Sequence, residues 1–260
     1  MPIHDSLGDR MKEYESRNQY YLQKRTPVCI RVDMRAGHTF TRGFARPFDE
    51  VFGNAMVRTM EYCAKNIGNC VFAYCQSDEI TFILVDYAKL ETDAWFDYRT
   101  DKLCSISASM ATMAFNTFFK NEVDKFYYNH CSREDPLFEK HYQTYRDAQY
   151  KGAMFDARCF NIPKEEACNL VYWRQLDATR NSIQMVGQAN FSHNELQGKS
   201  CNDIQDMLHE QRGINWNDFP TRWKRGVAWT KTNGTDYEMP ILKGENRKYV
   251  DDEVWFVEEE

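Results

Sequence analysis

The chain has 260 residues, 42% of them hydrophobic and 15% aromatic, enough to close a core of ordinary size in one large domain or one domain with an elaborated second half. Its 33 basic and 39 acidic side chains leave a formal net charge of −6, which argues against a broadly basic nucleic-acid-coating surface and leaves room for local basic patches. No run approaches the roughly 20 apolar residues of a membrane helix; residues 1–20 are too polar for a signal peptide, and nine scattered cysteines without a CxxC pair point to reduced core thiols in a cytoplasmic chain.

Residues 1–26 are charged and partly helical in pattern, and Pro27 closes this lead-in. Val28–Asp33 reads as a strand, with Val28, Ile30 and Val32 on one face and Cys29, Arg31 and Asp33 on the other, so that Asp33 arrives at the strand's C-terminal end. Gly37, Gly43 and Pro47 mark a loop. From Asp49 to Ile67 the apolar residues Phe52, Met56, Met60, Cys63 and Ile67 recur every three or four positions, which predicts a helix that Gly68-Asn69 can stop. Two short apolar runs, 70–75 and 80–85, are separated by Gln76-Ser77-Asp78-Glu79 and predict a hairpin.

A second long helix is expected over about 103–119, with Leu103, Ile106, Met110, Ala114 and Phe118 on its buried face. Residues 120–152 are aromatic and charged without a clear period and are left unassigned. Further on, 153–162 reads as a strand, Pro163 opens a helix toward Met185, 202–211 reads as a helix and 223–229 as a late strand. Six acids among the last ten residues, Asp251, Asp252, Glu253, Glu258, Glu259 and Glu260, suggest a solvated tail.

The chemistry concentrates at two places. Asp33 ends the first strand, and Asp78 and Glu79 sit at a hairpin tip; in a β-α-β-β sheet these elements are commonly neighbours, so the carboxylates converge on one sheet edge. Paired carboxylates of this kind suit Mg²⁺, with waters and phosphate oxygens completing its shell, and two such ions about 4 Å apart serve phosphoryl transfer. Acids at strand ends and turns are also common for purely local reasons, so the placement alone leaves both readings standing. The expected fold is α/β (α+β): a polymerase-palm-like, ferredoxin-like β-α-β-β antiparallel sheet with flanking long helices and a C-terminal extension. Residues 1–150 would form the catalytic core with its lead-in, and 151–260 the rest of one integrated domain.

The wording of the motifs adds to this. Arg31-Val32-Asp33-Met34-Arg35, Phe40, Phe44-Ala45-Arg46-Pro47, Gln76-Ser77-Asp78-Glu79, Trp173-Arg174-Gln175 with Asp177, Leu196-Gln197-Gly198 and Trp223-Lys224-Arg225-Gly226 together resemble the tRNA-His guanylyltransferase family over about residues 7–230. The resemblance implies nucleotide addition in the 3′-to-5′ direction at the 5′ end of tRNA, a palm-like fold and a homotetramer. It also implies two Mg²⁺ per active site, held by Asp33, Asp78 and the Met34 carbonyl with support from Glu79. It places Arg31, Arg35, Ala36, Gly37, His38, Arg46, Ser77, Arg99 and Lys102 around ATP, GTP or another nucleotide, and Arg174, Asn181, Lys224 and Arg225 toward RNA. On its own chemistry, His38 reads as a solvated loop histidine, and Trp173, Trp216, Trp223 and Trp229 as core or interface residues. The tyrosines and histidines between 127 and 150 suit either packing or RNA contact.

Where eukaryotic members carry His-Ile-Asn-Asn, this chain has Thr179-Arg180-Asn181-Ser182, and its opening Ser6–Lys12 is similar to the guanylyltransferase-like branch that repairs 5′-truncated tRNA. Two other functions share these residues: a palm-like nucleotide cyclase, told apart by a cyclic product made without RNA, and a catalytically inert RNA-binding protein, told apart by tRNA affinity without turnover.

Overall fold

The computed structural model describes residues 6–89, 91–131 and 136–255. In chain order its elements are α1 (Ser6–Ser16), β1 (Val28–Met34), α2 (Gly37–Phe40), α3 (Glu50–Asn66), β2 (Cys70–Gln76), β3 (Glu79–Leu84), α4 (Thr100–His130) and α5 (Pro136–Lys151). They continue as β4 (Phe155–Asn161), α6 (Lys164–Asn190), α7 (His193–Leu196), α8 (Cys201–Arg212), α9 (Thr221–Arg225), β5 (Val227–Thr230), β6 (Gly234–Asp236) and α10 (Lys248–Val254). Six strands form one antiparallel sheet in the order β4-β1-β3-β2-β5-β6. Its first four strands have the ferredoxin-like arrangement of a palm, and strands from both halves of the chain share the sheet.

The alternation read in β1 sorts its side chains onto two covered faces. Val28, Ile30, Val32 and Met34 join the core under α3 and α4, whereas Cys29 belongs to the second core, which α6 and α10 close with Ala167, Val171, Val250 and Val254. β2 and β3 are buried along their whole length because both faces are covered, which explains their nearly unbroken apolar sequences. Cys29, Cys63, Cys70, Cys75 and Cys168 fill these cores as buried thiols.

Several local expectations change in detail. α4 is much longer than 103–119, and its buried stripe is Leu103, Ser107, Ala111, Phe115 and Phe119 with Ala114; Ile106, Met110 and Phe118 lie on its flank. Small residues at 107 and 111 let the helix approach the sheet closely, a preference that hydrophobicity alone does not register. The unassigned stretch continues α4 to His130 and then forms α5. The strand expected over 223–229 begins only at Val227: Thr221–Arg225 are helical after Pro220, and Gly226 (φ 85°) makes the turn into β5. Asp251, Asp252 and Glu253 belong to α10, anchored by buried Val250 and Val254 rather than to a loose tail, while 256–260 lie outside the described residues. No helix among the described residues is long and apolar enough to cross a membrane.

Candidate active site

β1 delivers Asp33 and Met34, and a two-residue turn, Ser77-Asp78, joins β2 to β3. Asp33 faces Glu79 across β1 and β3, and the Met34 N–H donates to the Asp78 carbonyl at 3.0 Å. The backbone itself therefore ties the two acid-bearing segments together. Ala36 (φ 56°) and Ser77 (φ 51°) both take left-handed conformations beside the acids, a cost that tight loops at functional sites commonly carry. Gly37 is packed so closely under Asp78 that a Cβ there would lie 1.9 Å from Asp78 Oδ2.

The charges around these acids are unequal. Glu79 is buried and fully engaged: Arg174 Nε donates to it at 2.7 Å and Arg31 Nε lies 3.6 Å from it. Among the described residues neither Asp33 nor Asp78 forms an ion pair. Burial first, and then Asp78, Glu79 and Asp156, push Asp33 up to about 6, with Arg158 opposing. Asp156 contributes to this rise because it faces Asp33 from β4. Two carboxylates held together without a compensating cation form a donor set for hard divalent ions. The described residues contain no group of three or more His, Cys, Asp or Glu side chains arranged to hold a metal, so bound phosphate and water would have to supply the other ligands.

Beside Asp78 opens a cavity of about 480 Å³. One wall is the 37–49 loop with the start of α3, including Gly37, His38, Arg46 and Asp49; the other comes from Asn181 and Ser182 of α6 and Trp223 of α9. The loop is fixed by aromatic packing, with Phe40 and Phe44 against Phe119 and Phe44 edge-on to Tyr145. Asp49 locks it further: its carboxylate accepts from Phe52 N (2.8 Å) as the N-cap of α3, from Ala45 N (2.9 Å) and from the Tyr145 hydroxyl (2.6 Å). Trp223 stacks on Phe48 with centroids 5.2 Å apart. Arg222 ties α9 to α3 through Asn54 Oδ1 at 2.8 Å and Glu50 Oε2 at 3.2 Å.

The expected site residues thus separate into groups. Asp33, Met34, Asp78 and Glu79 converge, and Gly37, His38, Arg46, Ser77 and Asn181 line the cavity beside them. Arg35 is exposed at the end of β1, where its N–H donates to the Met154 carbonyl. Arg31 lies against Trp173 and Glu79.

Five basic residues are placed otherwise. Arg174 is buried and spends its guanidinium on Glu79 and Asp177, so it braces the site rather than facing RNA. Lys224 is buried, donates to the Asn217 carbonyl at 2.5 Å and is held below the usual lysine range by burial, then by Arg225. Arg99 and Lys102 start α4 at the far end of the sheet: the neighbouring Thr100 carbonyl meets Cys159, which faces Ile30, whereas Thr112 further along α4 meets Phe155, which faces Met34. They do not approach Asp33 or Asp78 of their own chain. Arg225 is half-buried, and its carbonyl accepts from the Tyr74 hydroxyl. A helix starting near Asp49 was legible, but the carboxylate's bonds to Phe52, Ala45 and Tyr145 were not; Arg222 and Trp223 reach the cavity through packing that no local pattern signals.

A palm sheet carrying two uncompensated carboxylates beside a cavity of nucleotide size is the framework of a palm-type nucleotidyltransferase. The family model described as "Thg1: tRNAHis guanylyltransferase" matches residues 8–163, and the chain belongs to that family. The chain is 28% identical over 222 residues to the tRNA(His) guanylyltransferase of Saccharomyces cerevisiae, covering 78% of this chain and 82% of that one. It is 29% identical over 239 residues to protein R259 of Acanthamoeba polyphaga mimivirus, covering 88% and 78%. Among solved structures, a bacterial tRNA(His) guanylyltransferase (Thg1)-like protein in complex with ATP superposes with a TM-score of 0.83 at 39% identity, covering 96% of this chain and all (100%) of that one. A bacterial Thg1-like protein in complex with GTP gives 0.75 at 36%, covering 97% and 100%.

Proposed function

We propose that this nucleotidyltransferase adds nucleotides in the 3′-to-5′ direction to the 5′ end of tRNA, as a cytoplasmic homotetramer that uses two Mg²⁺ per site. The observation that carries the reading is the uncompensated pair Asp33 and Asp78, of which Asp78 lines the cavity. Mg²⁺, held by these carboxylates and the Met34 carbonyl, supplies charge neutralisation at the transferring phosphate. Glu79, braced by Arg174 and Arg31, keeps the hairpin tip in place for that role.

The nucleotide occupies the cavity, with Arg46 at its triphosphate. Its 3′-oxygen attacks the 5′ phosphorus of the RNA; the bond from that phosphorus to AMP, or to pyrophosphate when the end is already a triphosphate, breaks as the new P–O bond forms. The protein's part is to position both reactants and exclude water. Similarity to bacterial Thg1-like structures at 39% and 36% identity, with Thr179–Ser182 in place of His-Ile-Asn-Asn, favours templated repair of shortened tRNA over strict guanylylation of tRNA-His.

The test is gel analysis of full-length and 5′-truncated tRNA given each NTP in turn. Extension of the truncated RNA in Mg²⁺, absent with EDTA and in Asp78→Ala, is expected; an Asp78→Ala protein that extends tRNA at the normal rate overturns the metal role. A cyclic nucleotide made without RNA would point to the cyclase instead.

A further inference from the structure

Trp173 is 53% exposed although it sits in the middle of α6, next to the buried residues that hold the catalytic hairpin. The Arg174 guanidinium lies 4.6 Å and the Arg31 guanidinium 5.9 Å from the indole centroid. Both guanidiniums hang on the same Glu79 carboxylate, so they back the indole from one side and leave about half of the residue open to solvent. Across β1 and β4, Arg31 faces Arg158, whose side chain is 54% exposed and lies 3.5 Å from Asp156, so two arginines and an acid stand on the open side near the indole.

Its position relative to the cavity decides what it meets. The cavity is lined by Gly37, Ser77 and Asp78, but by none of Asp33, Arg31 and Trp173. The carboxylate pair therefore has two sides: the enclosed one toward Asp78 and an open one toward Asp33, Arg31 and Trp173. In-line phosphoryl transfer sets the attacking oxygen opposite the leaving group, and a tRNA end is too large to share the enclosed cavity with a nucleotide. If the nucleotide fills the enclosed side, the RNA end arrives on the open side, beside the indole.

Resting on the function proposed above, we propose that Trp173 is the stacking platform for the 5′-terminal base of the RNA substrate. A base laid on the indole would be fixed in orientation without being identified, because every base offers a π-face. Arg31 and Arg174 keep the indole in place, and Arg158 supplies positive charge for the adjoining phosphates. Trp173 thus positions the RNA end rather than touching the reacting phosphorus.

The test uses the full-length protein and a tRNA acceptor-stem hairpin labelled at its 3′ end, with binding followed by fluorescence anisotropy in Mg²⁺ without nucleotide. Two hairpins are compared, one with an intact 5′-terminal nucleotide and one with that nucleotide abasic. Trp173→Ala is expected to weaken binding of the intact hairpin about tenfold, Trp173→Phe to restore most of it, and both variants to bind the abasic hairpin as wild type does. Equal loss on both hairpins, no loss on either, or a Trp173→Ala protein that sediments as a smaller assembly than wild type overturns the proposal; the last result makes the indole a subunit contact. Nucleotide addition is read in a separate gel assay. Wild type that fails to extend any tRNA sinks the proposed function, while the binding comparison still decides the role of Trp173.

Discussion

A Cβ on Gly37 would collide with the Asp78 carboxylate at 1.9 Å, and Gly37 lies in the loop immediately after the other acid-bearing strand. Gly37→Ala must therefore shift Asp78 or the loop by about an ångström, and displacements of that size cost roughly 100-fold in rate. We expect Gly37→Ala to fold with a thermal midpoint near wild type and to add nucleotides at least that much more slowly; a variant of normal activity would show that Asp78 is not held where the reaction needs it. Asp33 makes a second prediction. In metal-free protein its folded-state pKa is raised to about 6 by burial and by Asp78, against an unfolded value near 3.9. The folded state then binds more protons between those values, so stability is fully present below about pH 4 and is lost as pH rises through 6. Asp33→Asn should remove this part of the decline and melt above metal-free wild type at pH 7. Adding Mg²⁺ should raise the wild-type midpoint at pH 7 and leave the variant's nearly unchanged; identical pH profiles for the two proteins would contradict the assignment. Both acids were legible because a period-two strand and a short hairpin fix where their ends lie. Arg174 and Lys224 were misplaced for the opposite reason: whether a charge is solvated or buried against Glu79 or Asn217 depends on partners 95 and 7 residues away, and no local pattern carries that.

At the scale of elements, Asp49 joins three of them. Its carboxylate caps α3, holds Ala45 in the loop lining the cavity and accepts the Tyr145 hydroxyl from α5. Asp49→Ala loses the cap and strands a buried hydroxyl, and should cost about 2–3 kcal/mol in urea unfolding. Tyr145→Phe removes one hydrogen bond and should cost about 1 kcal/mol. A cost for Asp49→Ala no larger than that of Tyr145→Phe would show that the cap and the loop bond contribute little. The same region marks the limit of what the sequence disclosed about elements. α3 was legible because its apolar stripe faces a single core, and the hairpin because two covered faces leave two short, nearly unbroken apolar runs on either side of a polar turn. α5 was not, because it packs its aromatic residues on α4, where Tyr127 and Tyr142 meet at 4.9 Å, and leaves Tyr150 in solvent, so no single stripe emerges. The helix at Thr221–Arg225 was hidden by its shortness: five residues between Pro220 and Gly226 carry no period.

For the whole molecule, the cavity depends on pieces that lie far apart in the chain. Trp223 closes it by stacking on Phe48 and lying over Gly53, where a Cβ would come within 2.4 Å of the indole. Trp223→Ala removes that wall, so it should raise the nucleotide KM about tenfold while leaving Mg²⁺ binding at Asp33 and Asp78 near wild type; an unchanged KM would place the nucleotide elsewhere. The order of the four palm strands could be anticipated from β-α-β-β and the hairpin. The addition of β5 and β6 beyond β2 could not, since short strands pair according to which edge the rest of the fold leaves open.

The separation of the acids from the far wall also bears on synthesis. On a ribosome, Asp33 and Asp78 emerge and can meet long before residues 178–227 arrive, so the growing chain owns its reactive oxygens early and its substrate enclosure late. In that order the cavity gains its second wall only once α6 and α9 have packed against the earlier strands.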